Sequence, residues 1–240
     1  MYQSFYTAAL GVISQQSKMD IISNNLANAS TAGYKSKNAV FSDLMYNNLN
    51  APRDVATRFK AGTGVTVGQV NTNFAPAGFT ETGLKNDFAI TQEGFFMLEN
   101  PATQEITYTR DGHFNMSLRG DRFYLVSSNG KLVLDKNRQP IQMSEPGKDI
   151  NGNVPNIGIY EIPMKNGMQN IGDNEYQTVA KNGQPVLLED AVPKQGALEV
   201  SGIDMGTELA RVIEAQRAYS YALKMVQTSD EITTTINTLR

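Results

Sequence analysis

Few residues of this 240-residue chain could carry catalysis or hold a metal ion. The chain contains no cysteine and a single histidine, His113, which excludes thiolate metal sites and cysteine nucleophiles and most zinc and serine–histidine sites. Asp20, Asp87, Glu93 and Asp111 could pair for acid–base chemistry, but nothing in the sequence brings them into one pocket. His113 follows an Asp-Gly turn signal and is predicted to be an ordinary strand residue. We therefore predict no catalytic residue.

The sequence also gives no reason to expect a cofactor, a metal ion or a nucleic-acid partner. The glycines at 62 and 64 lack the Gly-Lys-Ser/Thr run of a phosphate-binding loop. Residues 149–153 (DINGN) lack the carboxylate spacing and the bidentate glutamate of a calcium loop. The formal net charge is −3 at pH 7, whereas nucleic-acid-binding proteins usually carry a clustered basic surplus.

The first residues do not form a cleaved secretion signal, since they lack a basic start, an apolar run and a small-residue cleavage site. No stretch approaches the roughly 20 apolar residues that a membrane-spanning helix needs, so no integral membrane segment is predicted. These signals are typical of a cytosolic protein. An export route that reads an uncleaved N-terminal segment would leave the same sequence.

The beginning of the chain is predicted to form one long helix over residues 2–27. Mostly apolar or small residues, with one glutamine, recur there at alternating spacings of four and three, which is the heptad pattern of one helix face. These positions are Phe5, Ala9, Val12, Gln16, Met19, Ser23 and Leu26. Such a helix is about 39 Å long at 1.5 Å per residue.

The end of the chain has two stripes of this kind on one predicted helix. The first contains Ala215, Ala218, Ala222, Met225, Ser229, Ile232, Ile236 and Leu239. The second contains Met205, Leu209, Val212, Gln216, Tyr219, Leu223 and Val226. A helix that packs on one core needs a single apolar stripe, so two stripes indicate contact with more than one neighbouring helix. This pattern favours assembly with other subunits.

Between the two helices, Asn-Gly and Asp-Gly turn signals separate short apolar runs, and residues 70–195 are predicted to be mostly antiparallel β structure. Residues 47–64 have no clear period and are predicted to be an extended arm or loop. The fold class is therefore α+β, with the terminal helices pairing as a coiled-coil layer. We expect an N-terminal helix at 1–33, a linker or arm at 34–69, a central β domain at 70–200 and a C-terminal helix at 201–240.

Both ends of the chain resemble the flagellar basal-body rod and hook proteins, the axial proteins of the bacterial flagellum. The N-terminal resemblance lies in residues 19–28 (MDIISNNLAN), 31–35 (TAGYK) and 41–44 (FSDL). The C-terminal resemblance lies in residues 196–201 (GALEVS), 214–219 (EAQRAY) and 227–231 (QTSDE). In the middle, residues 94–96 (GFF) and 108–114 (YTRDGHF) resemble the β domain of this family. Residues 202–204 (GID) depart from the family pattern, which usually begins here with an asparagine.

The resemblance implies a structural subunit that polymerises into a helical tube, the drive shaft that transmits motor torque to the hook. It implies export by the flagellar type III apparatus and a location in the basal body, spanning the periplasm or cell wall. The implied partners are copies of the same chain, other rod proteins, the hook protein and, as a further possibility, the ring proteins around the rod. The chain resembles the distal rod most, with a proximal-rod or hook-type protein as the alternative.

We expect subunit contacts to lie on the terminal helices. The residues expected there are Phe5, Val12, Gln16, Met19, Asn24, Asn25, Leu26, Asn28, Leu209, Val212, Gln216, Arg217, Tyr219, Met225, Ile232 and Ile236. The asparagines are either a solvated end of the first helix or, as we favour, side chains that hydrogen-bond across subunits. Arg217 could form an ion pair with Asp20 or Glu214.

Two other classes of function are weighed against this one. A carboxylate-dependent wall hydrolase would need a catalytic domain, for which the family-like segments leave no room. A secreted adhesin with a coiled-coil stalk would form closed trimers instead of open filaments. Neither alternative accounts for the motifs at both ends of the chain.

Overall fold

A computed structural model describes residues 2–48 and 60–239 of the chain. The described residues divide into two compact units. The helical unit consists of residues 2–27, 37–48, 60–72 and 204–239, and the β unit consists of residues 28–36 and 73–203. Two long helices at the ends of the chain and a mainly antiparallel β unit confirm the α+β class.

The helical unit has six elements. They are α1 (Tyr2–Ala27), β1 (Lys37–Asp43), β2 (Tyr46–Asn48), β3 (Lys60–Gly62), β4 (Val65–Thr72) and α2 (Met205–Thr238). Three of the four strands and most of β4, which continues to Thr72, lie in the range 34–69 predicted as a linker or arm, and residues 49–59 of that range lie outside the described residues. β1 pairs antiparallel with β4, and β2 pairs antiparallel with β3.

The two long helices run antiparallel, and three contacting pairs set their register. The side chains of Asn25 and Glu208 lie 3.4 Å apart, and those of Lys18 and Glu214 lie 3.7 Å apart. A Cβ atom on Gly11 would lie 3.8 Å from the Cβ of Ala222. The contacts therefore run along most of α1, as the predicted helix pairing requires.

A side-chain cap fixes the start of α2. Asp204 has extended backbone geometry, and its carboxylate accepts hydrogen bonds from the backbone N–H groups of Gly206 and Thr207. This contact satisfies donors that have no partner inside the helix. The departure from the family pattern at residues 202–204 thus keeps a strong capping residue.

The β unit has fifteen strands. They are β5 (Phe79–Glu81), β6 (Phe88–Ala89), β7 (Phe95–Glu99), β8 (Ile106–Thr109), β9 (Asn115–Arg119), β10 (Arg122–Val126), β11 (Leu132–Val133), β12 (Gln142–Glu145), β13 (Lys148–Asp149), β14 (Ile159–Glu161), β15 (Gln169–Gly172), β16 (Glu175–Gln177), β17 (Val186–Leu187), β18 (Lys194–Gln195) and β19 (Ala197–Glu199). The main sheet has the order β13-β12-β10-β11-β7-β8-β16-β15, with β9, β14 and β17 joined to this path. β5 pairs with β19 and β6 pairs with β18 in two small sheets.

Strand β7 supplies side chains to two separate hydrophobic clusters. Phe96 and Leu98 lie in one cluster, whereas Phe95 and Met97 lie in the other. Successive side chains of a strand point to opposite faces of a sheet, so β7 is buried on both faces. Its unbroken apolar sequence follows from this position.

Four of the five predicted Asn-Gly and Asp-Gly turn signals contain a glycine with positive φ, namely Gly130, Gly152, Gly167 and Gly183. The Asp111-Gly112 pair is different, because the chain does not form a tight hairpin there. A Cβ atom on Gly112 would lie 1.6 Å from the carbonyl oxygen of Phe88. Glycine is needed at this position for the close approach of two backbone segments.

Candidate functional site: the exposed faces of the terminal helices

The face of α2 that packs on α1 is built mainly from small residues. Ala215 is fully buried, and Ala218, Ala222 and Ser229 are partly buried. Small side chains allow the two helix backbones to approach closely, as the contact between Gly11 and Ala222 shows. The small residues of the first predicted stripe therefore pair the helices within one chain.

The larger apolar residues of α2 remain exposed in two groups. The first group is Met205, Leu209, Ile213 and Leu223, with exposed fractions of 38 to 55%. The second group is Met225, Ile232, Ile236 and Leu239, with exposed fractions of 43 to 83%. At 100° per residue, the two groups lie on either side of the face that packs on α1. We call them the N-terminal stripe and the C-terminal stripe of α2.

The predicted contact residues differ in their exposure. Those exposed in the single chain are Phe5, Gln16, Asn24, Leu209, Gln216, Arg217, Met225, Ile232 and Ile236. Those half-buried are Val12, Met19, Leu26, Asn28, Val212 and Tyr219. Asn25 alone among the predicted residues is fully buried. Nine of these positions are thus accessible to a second molecule.

Asn25 hydrogen-bonds within its own chain. Its side-chain oxygen accepts from the backbone N–H of Lys37 at 3.0 Å, and its side-chain nitrogen donates to the Lys37 carbonyl at 2.8 Å. The same nitrogen lies 3.4 Å from a carboxylate oxygen of Glu208. The sequence-based hypothesis placed such bonds between subunits, and for Asn25 the structure places them between α1, β1 and α2. A buried amide is stable only when it is hydrogen-bonded, and these contacts meet that requirement.

The predicted ion pair of Arg217 is not formed in the described part of the chain. Glu214 lies instead beside Lys18, with a nitrogen–oxygen distance of 3.7 Å. Arg211 donates to Glu208 at 2.6 Å and to Asn38 at 3.0 Å. The partly exposed Lys18–Glu214 pair contributes about 0–1 kcal/mol, whereas Glu208 is a buried carboxylate that is held by Arg211 and Asn25.

The β unit contains a buried ionic network that the sequence analysis missed. The Glu199 carboxylate accepts from the Lys35 ammonium at 2.7 Å, from the Arg110 guanidinium at 3.0 Å and from the backbone N–H of Ala77 at 2.8 Å. All three charged side chains are at most 1% exposed. Burial lowers the pKa of Lys35 from its ordinary value, while the Glu199 carboxylate opposes that shift. The three residues lie inside the segments that carry the family resemblance, and this location was the one feature of the sequence that could have indicated their importance.

His113 contacts a carboxylate, but the arrangement lacks a nucleophile. Its Nδ1 atom lies 2.9 Å from a carboxylate oxygen of Asp87, and the Thr82 hydroxyl donates to the other oxygen at 2.6 Å. In a catalytic triad the hydroxyl would bond to the histidine ring instead of to the carboxylate. Burial raises the pKa of Asp111, whose carboxylate accepts from the backbone N–H of His113. This cluster orders the backbone around residue 113.

Two further features of residues 2–48 and 60–239 bear on function. No group of three or more histidine, aspartate or glutamate side chains is placed to hold a metal ion in these ranges. Neither long helix, over the residues described, is apolar enough to cross a membrane.

Known protein families match most of the chain. The model described as flagella basal body rod protein matches residues 5–35. The model of the flagellar hook protein FlgE/F/G D1 domain matches residues 89–201, and that of the flagellar basal body rod FlgEFG protein C-terminal region matches residues 194–239. The first and last matches contain most of α1 and α2, and the middle match contains most of the β unit.

Individual relatives match over nearly their full length. Flagellar basal-body rod protein FlgG of Borreliella burgdorferi is 32% identical, over 100% of this chain and 99% of the relative. The FlgG protein of Buchnera aphidicola subsp. Baizongia pistaciae is 30% identical over 97% of both chains. Flagellar basal-body rod protein FlgF of Caulobacter vibrioides is 28% identical, over 97% of this chain and 95% of the relative. The chain therefore belongs to the family of flagellar basal-body rod proteins.

Proposed function

We propose that this protein assembles with copies of itself into the distal rod, through the exposed faces of α1 and α2. The observation that carries the proposal is the pair of apolar stripes on α2, which remain exposed after α1 has packed on the helix. Exposed apolar surface that continues along one element marks an interaction surface. Seven FlgG relatives, at 27 to 32% identity, match nearly the whole chain, as does one FlgF relative at 28%, and the number of FlgG matches favours the distal rod.

Burial of the stripes can supply the affinity of such an assembly. Complete burial of a Leu, Ile or Met side chain is worth about 1.5–3 kcal/mol, so a half-exposed side chain adds roughly 1 kcal/mol when it is covered. The two stripes have eight such side chains, and only part of their sum is left after the cost of association. Exposed charges such as Arg217 would then adjust partner choice more than affinity.

The family membership supports a wider set of partners. The tube would contact other rod proteins at one end and the hook protein at the other, with ring proteins around it. Subunits would leave the cytoplasm through the flagellar type III apparatus and assemble in the periplasm or cell wall. We propose that the protein has a structural role and no catalytic one, as its membership of a family of structural rod proteins favours.

The exposed faces of α1 and α2 also suggest a role for each segment of the chain. Residues 1–33 and 201–240 would form the axial core, residues 70–200 the outer β domain and residues 34–69 the connection between them. The contact residues predicted from the sequence all lie in this axial core, and all except Asn25, which is buried in its own chain, would contact neighbouring subunits.

Electron microscopy and sedimentation of the purified chain test the proposal. The variant Leu209→Ser/Leu223→Ser removes two apolar side chains of the N-terminal stripe that are 50% and 38% exposed. A matched control, Ile150→Ser/Val154→Ser, removes two exposed apolar side chains from the β unit. We expect filaments from the wild type and the control, and a marked loss of filaments from the stripe variant. Equal assembly of both variants would contradict a role for the stripe.

A further inference from the structure

The two paired helices differ in length, so within residues 2–48 and 60–239 the last turns of α2 have no partner helix. The antiparallel register set by Asn25–Glu208, Lys18–Glu214 and Gly11–Ala222 places Tyr2 opposite about Glu231. Residues 232–239 therefore extend beyond the start of α1 as described. We call this segment the C-terminal overhang. At 1.5 Å per residue it is about 12 Å long.

The overhang is apolar on one face. Ile232, Ile236 and Leu239 are 54%, 43% and 83% exposed, and their spacing of four and three residues places them in one row. Thr234 lies on the opposite face of the same segment. A short helical segment with one apolar row is the form in which helices bind to apolar grooves.

A groove of suitable character lies close to the start of α1, in the same unit of the chain. Its volume is about 520 Å³, and its walls are predominantly apolar. The walls include Thr7 and Ala8 of α1, Ala61 and Gly62 of β3, and Ala222 and Met225 of α2. The groove exists because glycine and alanine side chains leave space that larger side chains would fill. Its volume is sufficient for more than one aliphatic side chain.

A buried amide at the groove supplies a second, independent observation. Gln3 lies in the groove wall, and its side-chain nitrogen, which is buried behind that wall, has no hydrogen-bond partner among the described residues. A buried donor without a partner costs about 1–3 kcal/mol, so a bound segment that brings an acceptor would be favoured. The last carbonyl groups of a helix have no partner within it and could accept this bond.

We propose that the C-terminal overhang of one copy binds in the groove of a second copy. The inference rests on the proposed assembly and identifies one contact within it. Within a chain the groove and the overhang are separate surfaces, since the overhang begins seven residues, about 10 Å, beyond Met225 of the groove wall along α2. Such a contact is heterologous, so every copy that is added offers a new overhang or a new groove, and an open filament results.

Two variants of the full chain test the contact, one with a blocked groove and one with a blocked overhang, and we call them the blocked variants. Ala8→Trp fills the groove while keeping a residue compatible with the helix, and Ile232→Asp/Ile236→Asp places charges on the apolar row. Thr234→Asp is the matched control, because it adds a charge to the opposite face of the same segment. Far-ultraviolet circular dichroism verifies that each variant retains the helix content of the wild type.

We expect each blocked variant to raise the protein concentration needed for filaments by about tenfold or more, and Thr234→Asp to change it by less than about twofold. An equal mixture of the two blocked variants provides the decisive measurement. One variant still has a free overhang and the other a free groove, so the mixture should form one-to-one dimers in sedimentation at concentrations at which neither variant associates alone.

The outcomes separate this contact from the proposed function. If the wild type forms no filaments under any condition that keeps it folded, the proposed assembly fails and the contact fails with it. If the wild type assembles and both blocked variants assemble equally well, the assembly stands and the overhang contact is wrong. If the mixture of blocked variants forms no dimers, the two surfaces do not bind each other and the proposal is overturned.

Discussion

Removal of the Glu199 carboxylate should strongly destabilise the β unit. In the wild type this carboxylate lies 2.7 Å from the Lys35 ammonium and 3.0 Å from the Arg110 guanidinium. The variant Glu199→Ala leaves two buried cations without an anion and removes the acceptor of the Ala77 N–H group. Removal of one partner from a buried ionic cluster costs about 3–5 kcal/mol.

The size of this loss can be judged against the stability of a domain. A loss of 3–5 kcal/mol lowers the ratio of folded to unfolded molecules by a factor of about 10² to 10⁴. It is a large part of the 5–15 kcal/mol typical of a whole domain. Urea denaturation followed by circular dichroism measures it, since the chain has no tryptophan for fluorescence. Glu145→Ala is the control, because Glu145 forms an exposed pair with Lys148 at 3.7 Å and should cost at most about 1 kcal/mol.

The loss should also depend on pH. The pKa of Lys35 is already lowered from its ordinary value of 10.5 by burial, and the loss of Glu199 removes the group that opposes this shift. Below the folded-state pKa the cost of a buried ammonium is complete. As pH rises from that value towards 10.5, the folded chain releases the proton while the unfolded chain retains it. The destabilisation of Glu199→Ala should therefore decrease between neutral and alkaline pH.

A further variant tests whether the loss of stability in Glu199→Ala comes from the unpaired charges or from the lost side-chain volume. Lys35→Met/Arg110→Met/Glu199→Leu removes all three charges together, and such replacements of buried clusters are often neutral or stabilising. We expect this variant to be more stable than Glu199→Ala. A loss of less than about 1 kcal/mol in Glu199→Ala, at unchanged dependence on urea, would refute the view that the two cations need this carboxylate.

Three further predictions concern the connections around the helices. Gly33→Ala should destabilise the β unit by about 1–3 kcal/mol in urea denaturation, because Gly33 has φ of 64° and its Cβ would lie 2.6 Å from the Arg110 carbonyl; unchanged stability would show that the backbone can shift there. Asn25→Ala should cost about 1–3 kcal/mol through the lost bonds to Lys37, and filaments should still form if Asn25 acts only within its chain. The hydrogen bonds that Asp204 accepts, of which the one from the Thr207 side chain has the largest effect, lower its pKa below the ordinary value of 3.8. The stabilisation by the ionised cap is therefore complete above pH 3.8 and is lost as pH falls through the folded-state pKa. Helix content measured by circular dichroism during acid titration should therefore fall in the wild type, and Asp204→Asn should abolish that part of the loss; identical titrations of the two proteins would contradict this role.

The helices were predictable because their apolar periods extend over many turns. α1 begins and ends where the heptad pattern placed it, at residues 2 and 27. The two stripes on the C-terminal helix also predicted contacts beyond a single partner helix, and Leu209 and Leu223 of the second stripe are exposed in the single chain. The buried face of a long helix can be predicted from sequence, since every turn repeats the same apolar position.

Contacts between residues distant in sequence were not predictable in this way. Glu199 and Lys35 are 164 positions apart, and no local pattern indicates that one will neutralise the other. Asn25 was correctly expected to be held by hydrogen bonds, but the partner is the backbone of Lys37 in the same chain. Strand β1 was assigned to an arm because its half-buried residues give a weak alternating signal over only seven positions.

The position of β7 between two hydrophobic clusters has a consequence for how the β unit opens. Any motion that separates β7 from its neighbours exposes Phe96 and Leu98 on one face together with Phe95 and Met97 on the other. Neither cluster can loosen alone while this strand is displaced, so the two should lose their structure in one cooperative step. The amide protons of β7 should accordingly exchange with solvent among the slowest in the β unit, close to the rate set by global unfolding.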